Sequence, residues 1–168
     1  FNAQLADTRI DKTSEEACKA LAHMLPSLSA ERVWQELSRL LSTKRAGAVW
    51  CRMESGGIIK NLLPEAESGD VLLKLCDGEQ TAITALAAVI PAKACDDVSK
   101  RLKLSKKEAG ALRSTHDALQ VDLAGDFNKA LYKYGGEAVY AALQILKAEG
   151  EAIAEGDIER AKNWSQPT

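Results

Sequence analysis

Hydrophobic and polar positions along this chain repeat with the period of an α-helix almost throughout. The clearest stretch is residues 29–41, SAERVWQELSRLL. Its apolar residues Val33, Trp34, Leu37, Leu40 and Leu41 fall at i, i+1, i+4, i+7 and i+8, one face of a helix. Glu31, Arg32, Gln35, Glu36 and Arg39 occupy the other face, where Arg32 reaches Glu36 and Glu36 reaches Arg39. Upstream, residues 1–6 read as the tail of a helix that begins before Phe1. Thr13-Ser14-Glu15-Glu16 reads as a capping box, opening a helix with Ala17, Leu21 and Met24 or Leu25 inward, which Pro26 ends.

Downstream, residues 45–54 predict a short helix with Val49, Trp50 and Met53 inward, stopped by Ser55-Gly56-Gly57. Residues 58–63 fit either a strand or a helical turn between two breakers. An acidic loop, a short helix from Val71 and a turn at Asp77-Gly78 come next. Residues 81–90 predict the most buried helix of the second half, broken by Pro91. The next helix turns Cys95, Val98 and Leu102 inward. Ser105-Lys106-Lys107-Glu108 is a second capping box, opening a helix that packs Ala109, Leu112 and Leu119. Leu123-Ala124-Gly125 turns into Asp126, a cap for residues 127–134. After Gly135-Gly136, Val139, Ala142, Leu143 and Leu146 form the apolar stripe of a further helix. A last helix covers residues 151–164.

Composition supports this pattern. The 168 residues are 46% hydrophobic but only 5% aromatic, and alanine and leucine, both good helix formers, are abundant. The expectation is an all-α fold of about nine or ten short helices, one domain or a row of helical units sharing a core. The formal net charge is −2, so no global basic field advertises a nucleic-acid partner and any such surface is local. Cys18, Cys51, Cys76 and Cys95 are scattered without a Cys-x-x-Cys pair, which predicts small buried hydrophobes in a reducing cytosol rather than a zinc site. No apolar run approaches a membrane span and no leader opens the chain, so the expectation is a soluble, cytoplasmic protein without a membrane partner. The start at Phe1 and the end at Trp164-Ser165-Gln166-Pro167-Thr168 read as those of an excised fragment.

Candidate chemistry is sparse. Lys100, Arg101, Lys103, Lys106 and Lys107 form the densest basic cluster, across one helix end and the next helix start. Its two readings are a solvated face of lysines favoured by the helix dipole and a phosphate-backbone contact for RNA. Asp96 and Asp97 are adjacent, about 100° apart on a helix, and do not form a metal clamp. His116-Asp117 has the wording of a phosphohydrolase dyad but lacks the other ligands, so a surface or interhelix histidine is expected. Tyr132 and Tyr134 read as one exposed and one core ring. The acidic run Glu149, Glu151, Glu155, Asp157 and Glu159 reads as a solvated face that repels RNA.

Three pieces together carry a resemblance. Ser29, Glu31, Arg32, Val33, Glu36 and Leu37 match a Ser-x-Glu-Arg-Ile-x-x-Glu-Leu motif. Phe1-Asn2-Ala3-Gln4-Leu5 is similar to the end of an Arg-Phe-x-Ala-x-Leu helix. Gly56-Gly57-Ile58-Ile59 followed by Leu62-Leu63-Pro64-Glu65 is similar to a Gly-Leu-Leu…Leu-Pro-Glu segment. In this order and spacing, the first third of the chain resembles the bacterial tRNA nucleotidyltransferase and poly(A) polymerase family. The one visible departure is Trp34, where that family has a polar or small residue.

The resemblance implies a curved neck and body of helices. Residues 1–64 would be a neck-like region supporting RNA and the nucleotide pocket, and residues 65–168 a body and tail. The family transfers nucleotides to RNA 3′ ends with two metal ions held by an Asp-x-Asp in a head domain, after a Gly-Gly-x-Val-Arg-Asp loop. Neither motif is present, nor is the base-reading Glu-Asp-x-x-Arg. The implied fragment therefore holds no catalytic residue, metal or cofactor of its own. Mg²⁺ and ATP or CTP belong to the full-length enzyme, and the implied partners are RNA, as tRNA or RNA 3′ ends, and the chain's own catalytic head. Glu31, Arg32, Glu36 and Arg39 would buttress the neck without touching nucleotide. The rival expectation is a stand-alone helical module that binds a protein through an apolar groove.

Overall fold

In this computed structural model, residues 12–75, 80–123 and 125–165 are described. Among them are eleven α-helices, two short 3₁₀ helices and no strand. The expected helix tail at residues 1–6, the Asp77-Gly78 turn, Cys76 and Ala124 lie outside the described residues.

The first half holds α1 (Lys12–Leu21), a 3₁₀ segment Ala22–Ser27, α2 (Ala30–Leu41), α3 (Ala46–Ser55), α4 (Ile58–Leu62) and α5 (Asp70–Leu75). Two expectations for α1 are overturned. Thr13 lies inside the helix rather than capping it. The face expected to be inward is open: no α1 residue is buried, and Leu21, Met24 and Ala17 are exposed. The physical reason is that α1 joins α3 through charge instead of apolar packing. Glu15 pairs with Lys19 at 2.9 Å and with Arg52 of α3 at 2.8 Å. Pro26 does not end an α-helix either, because the chain has already tightened into the 3₁₀ segment that contains it.

Helix α2 forms as its pattern predicts. The Ser29 hydroxyl accepts the Arg32 N–H at the N-terminus, and Trp34, Leu37, Leu40 and Leu41 are buried. In α3 Trp50 is fully buried, while Val49 and Met53 are half-buried against the same core. Gly57, at φ 71°, takes the left-handed turn that lets α4 start at once, which decides the helix-or-strand ambiguity for helix.

The second half holds α6 (Ala82–Ala87), a 3₁₀ turn Ala92–Ala94, α7 (Cys95–Arg101), α8 (Lys106–Leu119), α9 (Phe127–Tyr134), α10 (Gly136–Glu149) and α11 (Glu155–Lys162). Cys95, Val98 and Leu102 are buried as expected. The Ser105–Glu108 capping box is fully formed, with both reciprocal bonds present. Asp126 sits at the start of α9 but makes no capping bond; its carboxylate turns to Lys129 instead, at 3.7 Å. Helix α11 starts four residues later than expected, at Glu155.

Helix α10 is the centre of the fold, packing against α5, α6, α8, α9 and α11. Neighbours on several sides explain why burial exceeds the expected stripe: Ala138, Ala141, Ile145 and Ala148 are buried too, while Leu146 is only half-buried. The alanines let adjacent helices approach closely. Two hydrophobic clusters result. The larger runs from Trp34 and Leu41 through Trp50, Leu72 and Leu86 to Leu112 and Ile145. The smaller joins Ala118, Phe127, Leu131, Val139, Leu143 and Ala161. Among the described residues no helix is long and apolar enough to cross a membrane.

Candidate nucleic-acid interface

The two stretches singled out by sequence, the α2 motif and the basic cluster, meet in space. The N-terminal turn of α2 lies against the turn between α7 and α8. There Lys103 Nζ donates to Glu31 Oε1 at 2.7 Å, and Trp34 Nε1 donates to Glu108 Oε1 at 2.9 Å. The second Glu108 oxygen accepts the Ser105 N–H at 2.8 Å. One carboxylate therefore caps α8 and anchors α2. Burial pushes the Glu108 carboxyl up, but the bonds from Ser105 and Trp34 outweigh it and hold the group below the usual carboxylate value. The Glu31 carboxyl is also lowered, chiefly by its bond from Lys103.

A second tie runs from Arg101 to Glu65, whose two oxygens accept both guanidinium Nη groups. That bidentate fork holds the Glu65 carboxyl well below its ordinary value, against the effect of burial. All five cations of the basic cluster are exposed. Arg101 and Lys103 are thus occupied by carboxylates, whereas Lys100, Lys106 and Lys107 make no ion pair with the described residues. The surface offers three uncommitted ammonium groups beside two exchangeable pairs.

The remaining α2 residues are divided. Glu36 pairs with Arg39 at 3.1 Å, both facing solvent. The expected Arg32–Glu36 pair is not formed: Arg32 is exposed and has no partner among the described residues, since Glu36 is drawn to the nearer turn by Arg39. Of the four residues assigned to the motif, only Glu31 touches the basic cluster. Sequence reasoning missed Glu65 and Glu108 as members of this interface. Their signals were the Pro64-Glu65 piece and the capping box, each explained locally and so not read across the chain.

A groove of about 450 Å³ opens beside the interface, between the 3₁₀ segment, α2, α4 and the end of α7. Leu25, Leu28, Val33, Leu62 and Pro64 make its lining apolar, and Arg101 forms part of its wall. Leu28 is 51% exposed, so the groove continues onto the surface.

The other candidates settle as structural. His116 is buried, its Nε2 has no hydrogen-bond partner among the described residues, and burial lowers its pKa although Asp117 and Glu67 act in the opposite sense. Of the two expected placements, surface or interhelix, the structure shows the interhelix one, with His116 buried on α8 where that helix packs against its neighbours. No group of His, Cys, Asp or Glu among the described residues is arranged to hold a metal ion. Asp96 pairs with Arg113. Among the described residues Cys18, Cys51 and Cys95 form no disulfide. Cys95 is buried as expected, whereas Cys18 and Cys51 are only half-buried, and burial raises the Cys95 thiol to about 11, which leaves it unreactive. Tyr132 is exposed, edge-on to Trp164 at 6.0 Å, and Tyr134 is half-buried.

Residues 7–69 match the family model described as the probable RNA and SrmB-binding site of polymerase A. No curated protein and no solved structure matches the chain. The chain is thus all-helical among its described residues, and its first part is similar to a segment described as a probable RNA-binding site. Over its first part, this chain is similar to the RNA-binding region of poly(A) polymerases. The matched span contains α1 to α4, Glu31, Glu65 and most of the groove; the basic cluster lies beyond it.

Proposed function

We propose that this chain is the RNA-positioning part of a nucleotidyltransferase of the tRNA nucleotidyltransferase and poly(A) polymerase family. The whole protein adds nucleotides to RNA 3′ ends in the cytoplasm. Its catalytic head, with Mg²⁺ and ATP or CTP, lies outside these residues, which do not catalyse alone. Residues 1–64 serve as the neck and residues 65–168 as body and tail, with tRNA or another RNA 3′ end as partner. The observation that carries this reading is the match over residues 7–69. The attachment of that segment to a basic turn, through Glu31–Lys103 and Glu65–Arg101, supports it.

Fluorescence anisotropy with a labelled tRNA transcript and an oligoadenylate, from 50 to 200 mM salt, tests it. The three uncommitted lysines alone predict a log–log salt slope of about −2 or steeper on single strands. Absence of binding at the lowest salt would reject the reading.

A second reading belongs to the groove. The matched description names SrmB beside RNA, and the groove lies almost wholly within the matched span. Its lining contains no aromatic ring on which a base would stack, and its aliphatic floor suits a protein helix. On this reading Leu28→Glu abolishes binding of a protein partner while sparing RNA, and loss of both together would count against it.

A further inference from the structure

Four described residues have positive φ: Gly57, Gly135 and Gly150, at 71°, 85° and 107°, and Lys103, at 52°. Gly150 and Lys103 occupy equivalent places. After α10, the Gly150 N–H bonds to Lys147 O at 3.1 Å and the Glu151 N–H to Leu146 O at 3.0 Å. After α7, the Lys103 N–H bonds to Lys100 O at 3.2 Å and the Leu104 N–H to Ser99 O at 2.9 Å. Both are the paired closure that ends a helix on a left-handed residue, where glycine is the usual occupant. Helix α10 has the glycine. Helix α7 has a lysine, whose Cβ crowds the backbone in that conformation.

Glycine would meet no such crowding at position 103, and what the lysine adds in exchange is its side chain. Its bond to Glu31 does not account for it, because both side chains are 61% exposed and such pairs add little. Its position does. Lys103 stands in the turn between the last turn of α7, which holds Lys100 and Arg101, and the first turn of α8, which holds Lys106 and Lys107, and all five side chains are exposed.

We infer that Lys103 is a phosphate-contacting residue of the RNA surface, held ready on Glu31 until an RNA phosphate replaces that carboxylate. This rests on the RNA-positioning reading above. The exchange swaps one N–H···O⁻ contact for another of the same kind, so no other partner has to be broken. The displaced Glu31 carboxylate then faces the phosphate and opposes it, which makes Glu31 a brake on binding rather than a support.

The experiment is anisotropy with a fluorescein-labelled twelve-nucleotide oligoadenylate, paired with thermal melting of each variant. Lys103→Gly is expected to melt at or above the wild-type temperature, because the backbone strain is gone. Its RNA affinity is expected to fall about fivefold at 50 mM salt, with a slope shallower by about 0.7. Lys103→Arg is expected to bind within about twofold of wild type, since the charge is kept. Glu31→Gln is expected to bind about twofold tighter or more, with the competing carboxylate removed.

Lys103→Gly with wild-type affinity and slope overturns the inference and leaves the RNA reading standing. A loss that Lys103→Arg does not restore overturns it too, as does weaker binding by Glu31→Gln. A wild-type chain that shows no salt-dependent binding removes both readings at once.

Discussion

The Trp34 indole nitrogen and the Glu108 carboxylate, 74 residues apart in the chain, are joined at 2.9 Å. This bond explains the one residue at which the α2 motif departs from the family it resembles. Trp34 is 9% exposed, with its ring in the core and its N–H at the margin. The carboxylate that receives that N–H is also held by the Ser105 capping box, which fixes the orientation of the acceptor. Two local signals thereby become one tertiary joint.

Glu108→Ala removes the cap and the anchor together. The expected loss is about 1–2 kcal/mol of stability, more than Ser105→Ala, which costs about 1 kcal/mol. Urea denaturation of the two variants and of Trp34→Phe measures this. Trp34→Phe should cost much less once Glu108 is absent.

Identical substitutions at two glycines should act in opposite directions. A Cβ at Gly47 would lie 2.5 Å from the Leu73 Cα, where α3 and α5 touch backbone to backbone. Gly47→Ala is expected to destabilise by about 1–3 kcal/mol. At Gly110, inside α8, a Cβ meets nothing within 4 Å, and Gly110→Ala should stabilise by about 0.5–1 kcal/mol. Thermal melts of the two variants decide it.

Stability should depend on pH through His116. Burial holds the folded-state pKa below the usual 6.5, so the unfolded chain takes up the proton first. The contribution of neutral His116 is complete above about pH 6.5 and is lost as pH falls below that value toward the folded pKa. His116→Leu should flatten the fall in melting temperature between about pH 6.5 and 5. An unchanged profile would locate the dependence elsewhere.

Arg32 and the lysine pair Lys106 and Lys107 separate surface function from folding. All three are exposed and unpaired among the described residues, so replacing them should change stability by less than about 0.5 kcal/mol. Lys106→Ala with Lys107→Ala should still reduce the RNA salt slope by about 1.4 on single strands. On the proposed reading, Arg32→Ala in a full-length nucleotidyltransferase should lower turnover with the helical part intact, and unchanged turnover would count against a supporting role for Arg32.

Much of the fold was legible because its signals are local. The α2 stripe, the Ser105–Glu108 box and the inward Cys95, Val98 and Leu102 all follow from spacing within a turn or two. The resemblance in the first third of the chain also reads from sequence, and it overlaps the match over residues 7–69. The α1 face failed for the same reason that α2 succeeded. Periodicity shows which residues share a face but not whether another element covers it, and α1 is held to α3 by Glu15 and Arg52.

By itself the sequence determined an all-α chain, the helix start set by Ser105, and a local basic cluster in an otherwise acidic protein. These depend on backbone propensity, side-chain reach within one turn and net charge. Only the tertiary structure decided that Glu31 and Glu65 would hold Lys103 and Arg101, that His116 would be buried, and that α10 would be enclosed by other helices. Those outcomes depend on packing between distant segments. A carboxylate carries the same charge wherever it stands in the chain, and only the folded path sets which cation it meets.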